Sequence, residues 1–186
     1  MLGGLFQKRR LGGGNPAALY GAIVAQARAP GFYAVLGVPD TIEGRFEMVI
    51  LHMLLVLRRL RGTSSSAEAS GQQAFDLFCE DMDRSLREMG VGDLSVPKRM
   101  RKIGESFYGR AAAYEPGLLA GDAAELAPAI ARNVWPDGGR TDGADPLAYY
   151  AVAASRALQA EEPDKLAVGR FALPDPAAFA AAETSP

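Results

Sequence analysis

Apolar residues recur along the chain with the 3.6-residue spacing of helices, and no alternating run is long enough to build a sheet. Leu19, Ile23, Val24 and Ala27 mark one face of a first helix over 16–28, stopped by Pro30-Gly31. Segment 31–39 is short and broken by glycine and proline, so an extended arm packed on the core is expected there. Asp40-Thr-Ile-Glu43 has the form of a capping box, with Asp40 as N-cap and Glu43 reaching back. The helix it opens runs over 40–61, ahead of Gly62, and is apolar on almost every side, which places it at the centre of a bundle. Its polar residues fall in two lines: Arg45, His52 and Arg59 in one, Glu47 and Arg58 in the other. These either reach solvent at the edges or pair with neighbours.

A Ser/Ala/Gly stretch over 63–71 reads as a loop. Phe75, Phe78, Cys79, Met82, Leu86 and Met89 then set the core stripe of a helix over 72–89, whose other faces are rich in acids. The next helix is expected over 95–114, ended by Glu115-Pro-Gly117. Asp122-Ala-Ala-Glu125 resembles a second capping box, opening a helix to 133 with a kink at Pro128. Asp145-Pro146 starts a last long helix to 160, with Asp145 as N-cap. The expected fold is all-α: a single-domain bundle of six or seven helices. A flexible N-terminus covers 1–15, the helical domain 16–160, and an irregular segment 161–186 with one helical turn and a frayed end from 177.

Composition narrows the picture. With 48% apolar and 23% charged residues, the 186-residue chain buries a sizeable core. A net charge of −2 exerts no global pull on nucleic acid, so any such attraction is local. Cys79 is the one cysteine, which excludes an internal disulfide and fits a reducing compartment. The longest apolar run, 48–57, falls well short of the roughly 20 residues of a spanning helix. At the start of the chain, apolar residues precede the cations, the reverse of a secretion signal.

Charge is concentrated in one place. Lys98, Arg99, Arg101 and Lys102 stand within five positions, and with Arg110 they face a single acid, Glu105, over 98–110. On a helix, Val96, Met100, Ile103 and Phe107 lie within about 60° of one another, and the cations point away from them. Such a cluster is either a solvated face, relieved by the acid-rich helix folding back across Gly90-Val-Gly92, or a docking site for an anionic partner: ribosomal RNA, lipid headgroups or an acidic protein. No helix-turn-helix pattern accompanies it, so DNA is not expected. Gly104 and Gly109 each cost about 1 kcal/mol inside a helix. They point to a close backbone neighbour, to contact with a ligand, or to the end of a helical segment. Tyr108 is expected either half-buried with its hydroxyl satisfied or presenting its ring beside the cations.

Catalytic motifs are missing. Gly12-Gly-Gly14 lacks the lysine and the preceding strand of a phosphate loop, and no nucleophile elbow appears. His52, the lone histidine, sits among Val49, Leu55 and Val56 and is expected to be buried and neutral. It has no second histidine or CxxCH motif with which to hold haem. No enzyme activity, cofactor or metal is expected.

Phe32-Tyr33, Leu36, Pro39-Asp40-Thr41, Phe46, Leu51-His52 and Arg59 together resemble the first half of the ubiquinol–cytochrome c chaperone family. The run Arg87-Glu-Met-Gly-Val-Gly-Asp-Leu94, then Lys98 and Phe107-Tyr-Gly-Arg110, resembles its second half. The likeness covers about 30–158 and implies an all-helical, non-enzymatic assembly factor of the cytochrome bc1 complex. Mitochondrial members bind newly made cytochrome b near the ribosome together with a small partner protein. They carry an import sequence and a membrane-associated N-terminal extension; this chain resembles the shorter bacterial branch.

Cytochrome b is therefore the expected client, and an RNA- or ribosome-binding module the alternative. The cytoplasm is the expected location, with peripheral contact at the inner face of the membrane. Phe32 and Tyr33 are candidate client contacts, with Met82, Met89 and Met100 as further groove residues. Lys98, Arg99, Arg101, Lys102, Tyr108 and Arg110 are candidates for partner binding. Leu2, Leu5, Phe6, Lys8, Arg9 and Arg10 are candidates for weak membrane contact.

Overall fold

A computed structural model describes residues 14–138 and 142–180. The candidate membrane contacts at 2–10 lie outside the described residues. Six helices of twelve residues or more build the bundle, and no strand occurs among the described residues. α1 (Pro16–Ala27) starts on the Asn15 side chain, which accepts from the Ala18 amide at 3.1 Å. α2 (Pro30–Ala34) replaces the extended arm expected over 31–39, because Pro30 sits at its first position, where the missing N–H costs nothing. Phe32 on α2 is fully buried, edge-on to the rings of His52 and Tyr150.

α3 (Ile42–Leu60) is the central element. The run 50–56 is buried throughout, and the helix packs against α1, α4 (Ser65–Glu88), α6 (Ala123–Val134), α7 (Ala144–Ala160) and the short α8 (Pro163–Leu166). Its cap is Thr41 rather than Asp40: Thr41 Oγ1 accepts from the Gly44 amide at 3.1 Å, while Asp40 accepts from Arg45 at 2.6 Å. The two polar lines on α3 find neighbours. Arg59 donates to the carbonyls of Leu158 and Glu161 at the end of α7, and Arg58 lies 3.5 Å from Glu115.

α4 begins seven residues earlier than its apolar stripe announces. Ser64 caps it, and the small residues Ala67, Ser70 and Gly71 are buried. A side chain at Gly71 would press on Leu60 and Leu57 of α3. What resembles loop composition is the signature of close helix packing.

α5 (Val96–Ala120) likewise runs through Pro116 to the left-handed Gly121. Proline leaves the Ala112 carbonyl without its helical donor, but both residues are exposed, so that carbonyl stays open to solvent and the loss is small. Pro128 sits within α6 in the same exposed way. Asp122 caps α6, accepting from the Ala124 and Glu125 amides, but the box does not close: the Asp122 amide donates to the Gly117 carbonyl at 2.9 Å instead of to Glu125. α7 starts at Ala144, and Gly143, not Asp145, precedes it; a Cβ at Gly143 would fall 1.9 Å from the Leu36 carbonyl. Of the stretch expected to fray from 177, the start forms a 3-10 turn, Pro176–Phe179, that sets Phe179 against Tyr150; 181–186 lie outside the described residues.

Gly104 and Gly109 do not mark a close helix contact: nothing lies within 4 Å of a Cβ built at either. The tight contact of α5 is at Gly117, where a Cβ would sit 2.9 Å from the Leu126 amide of α6. Alanine at Gly104 or Gly109 is therefore expected to stabilise the free protein by roughly 0.5–1 kcal/mol each. Urea unfolding of the two variants measures this, and a lower midpoint contradicts it.

Candidate functional site

An apolar groove of about 350 Å³ opens beneath the last turns of α4. Met82, Leu86 and Met89 hang from α4 at helical spacing, Phe46 and Val49 of α3 form the floor, and Ile103 closes one side from α5. Ile42, at the start of α3, stands 68% exposed on the rim and Met89 55% exposed. The groove exists because α5 touches α4 only sparingly here, while α1 and α3 hold α4 from below. Tyr20 fixes α4 to α1, its hydroxyl donating to Asp81 at 2.9 Å; burial and this carboxylate push its ionisation well above the ordinary range. Farther along the bundle, Phe75, Phe78 and Phe107 pack together, and beyond them a second cavity of about 250 Å³ lies between α3, α4 and α5.

The basic cluster keeps its charges free. Lys98, Arg99 and Lys102 are exposed, and no described carboxylate pairs with them. Arg101 reaches only Glu105, one turn along its own helix, at 3.5 Å. No acid of α4 forms an ion pair with them. Asp83 of α4 and Asp93 of the following turn are held by Arg87, and Asp81 by Tyr20 and, at 4.0 Å, Arg84, while Glu80 and Glu88 stand exposed and unpaired.

Two of the candidate residues have internal positions instead. Phe32 lies in the core and lines no groove. Arg110 turns inward: its Nε donates to Glu47 Oε2 at 2.6 Å, a second nitrogen binds Glu47 Oε1, and the third binds the Ser106 carbonyl at 3.0 Å and its hydroxyl. This ion pair joins α5 to α3 at side-chain exposures of 15% and 8%. Burial pushes the Glu47 carboxyl up, and the Arg110 guanidinium pulls it back down.

Tyr33 is half-buried, its hydroxyl donating to the Ala27 carbonyl at 2.7 Å and its ring beneath Arg45. Tyr108 is 67% exposed beside the second cavity, rather than half-buried with a satisfied hydroxyl. Met82 and Met89 line the groove; Met100 is half-buried on α5 outside it. Leu86, Phe46, Ile42 and Ile103 are groove residues that periodicity alone assigned to the core or left unassigned.

His52 is fully buried and neutral. Its Nδ1 lies 2.7 Å from the Met48 carbonyl, so that nitrogen carries the proton, and Nε2 accepts from Tyr150 at 2.7 Å. Gln26 donates to the same Tyr150 oxygen at 3.1 Å, so every member of the network is satisfied. Burial pulls the imidazole down to about 4, against a smaller upward push from the Met48 carbonyl. Neither groove is lined by His52, and no group of three potential metal ligands occurs among the described residues. No described helix is long and apolar enough to cross a membrane.

Fold and site together define a single-domain helical bundle with an open apolar groove beside unpaired cations. The chain belongs to the ubiquinol–cytochrome c chaperone family, whose model matches residues 34–173. It is similar to the Cbp3 homolog from Brucella abortus, at 42% identity and a TM-score of 0.79, with 87% of this chain and 89% of that one covered. Among curated relatives it is 25% identical over 103 residues to the ubiquinol-cytochrome-c reductase complex assembly factor 1 of Xenopus laevis, covering 55% of this chain and 51% of that protein. The human counterpart is 26% identical over 104 residues, with 35% of its length covered. The chain thus spans about half or less of the length of these curated relatives.

Proposed function

We propose that the protein is a non-catalytic chaperone for assembly of the cytochrome bc1 complex, working in the cytoplasm and holding cytochrome b by an apolar segment. The observation that carries this is the groove under α4 in a chain of the chaperone family. An apolar helix or loop of a membrane subunit needs cover before it reaches its final neighbours, and a helical groove supplies it. Met82 and Met89 are unbranched and adapt to side chains of different shape, which suits a site that holds and then releases.

Aspartate at both Ile42 and Met89 tests the proposal. These positions are exposed, so stability is expected to stay within about 0.5 kcal/mol. Burying two carboxylates against an apolar client is strongly unfavourable, so cytochrome b recovered with the tagged protein should fall at least about tenfold. Normal bc1 complex in a strain lacking the protein would sink the proposal.

A second reading rests on the unpaired Lys98, Arg99 and Lys102: binding to ribosomal RNA. It requires salt-sensitive cosedimentation with ribosomes that disappears when these three charges are reversed.

A further inference from the structure

We infer that the end of the bundle where α4 turns into α5 docks on a bilayer surface carrying anionic lipid. This goes beyond the client reading and does not rest on it. Leu94 is 99% exposed, the most exposed of the large apolar side chains described. It sits one residue before the Ser95 cap of α5, on a turn that Gly90, at φ +80°, reverses. Met89 and Ile42, both more than half exposed, stand at the same end of the bundle. Lys98, Arg99 and Lys102 follow Leu94 within about two helical turns.

The start of α5 is one-sided in charge: Lys98, Arg99, Arg101 and Lys102 follow Leu94 with no acid before Glu105, and Lys98, Arg99 and Lys102 have no ion-pair partner. The nearby aspartates are engaged elsewhere, Asp40 by Arg45, Asp81 by Tyr20 and Arg84, and Asp83 and Asp93 together by Arg87, which leaves Arg28, Glu43, Glu80 and Glu88 unpaired on the other helices. Cations next to a bare leucine and methionine match a headgroup layer with acyl chains beneath it. RNA would use the cations but gives Leu94 nothing to bury against, and the one exposed aromatic on α5, Tyr108, lies nearly three turns beyond Lys98. The contact is peripheral in kind: a leucine tip and a few cations on a folded bundle.

Vesicle flotation with the full chain tests the inference. The protein should bind phosphatidylcholine vesicles containing about 30% phosphatidylglycerol and ignore pure phosphatidylcholine, with binding weakened by salt. Replacing Lys98, Arg99 and Lys102 with serine should lower the affinity about a hundredfold, at about fivefold per cation. Leu94→Ser should lower it about tenfold, while Arg170→Ser, at an exposed cation on the C-terminal segment, leaves it unchanged. All five positions are exposed, so each variant keeps its fold, which circular dichroism verifies.

The inference is overturned by equal binding to both vesicle types, by no binding to either, or by a Leu94→Ser variant that binds as well as wild type. Loss of RNA rather than vesicle binding in the triple variant would assign the surface to RNA instead. Cytochrome b recovery is read separately in the same variants, so the client reading and the lipid reading fail independently.

Discussion

Alanine in place of Arg110 is expected to destabilise the protein by about 3 kcal/mol, as removal of one partner of a buried ion pair does. Glu47 would be left almost fully covered in the wall of α3 with no counter-charge. Burial already raises its carboxyl, and without the guanidinium nothing pulls it back. The sign of the pH dependence follows. A carboxyl raised in the folded state binds its proton earlier there than in the unfolded chain, so the folded variant gains relative stability as pH falls. The deficit of Arg110→Ala should therefore shrink from pH 8 to pH 5. Urea unfolding at the two pH values measures it. The double variant Glu47→Gln, Arg110→Met should recover most of the loss, because it removes both charges and keeps the volume. A single variant as stable as wild type would remove the pair from the list of what holds α5 to α3.

Acid is expected to cost the protein about 3 kcal/mol between pH 6.5 and pH 4 through His52 alone. The imidazole is held neutral down to about 4 by burial, whereas in the unfolded chain it gains its proton near its ordinary value of 6.5. Across that window the unfolded state binds more protons, so stability present above pH 6.5 drains away as pH falls. Glu47 acts in the opposite sense, and comparison with His52→Gln separates the two. The wild-type curve of stability against pH should fall more steeply than that of the variant, and the two should converge toward pH 4. An imidazole proton resonance that titrates near pH 6.5 in the folded protein would contradict the account.

Much of this architecture could be read from periodicity. α3, apolar on almost every side, is the enclosed helix; of the stripes on α4 and α5, Phe75, Phe78, Val96 and Phe107 turn inward, while Met82, Leu86, Met89 and Ile103 line the open groove. The misreadings share a cause. Ser/Ala/Gly composition over 63–71 and Pro116 mimic breaks, yet small residues allow close approach to α3, and an exposed proline loses little when water reaches the freed carbonyl. For the site, local sequence showed which side chains carry charge but not what faces them. Arg110 belongs to the same cationic run as Lys102, and only a partner 63 positions away separates their roles. One signal was available: Glu47, an acid on a helix apolar nearly all round, calls for a buried cation. Phe32 entered as a groove candidate as an aromatic of an arm laid over the core, whereas a helical turn rotates it inward onto Tyr150. The groove itself arises from how sparingly α5 meets α4, which no spacing along the chain encodes.

The polar network at the heart of the bundle also sets an order of events during synthesis. His52 lies in the first third of the chain, but its hydroxyl partner arrives with residue 150, and the aromatic ring beside that partner with residue 179. While the chain is still being made, α3 has emerged with a bare imidazole on its apolar surface and none of α7 to cover it. The interior of the bundle is therefore complete only when translation is nearly finished, and the imidazole has its hydroxyl partner only once α7 is made.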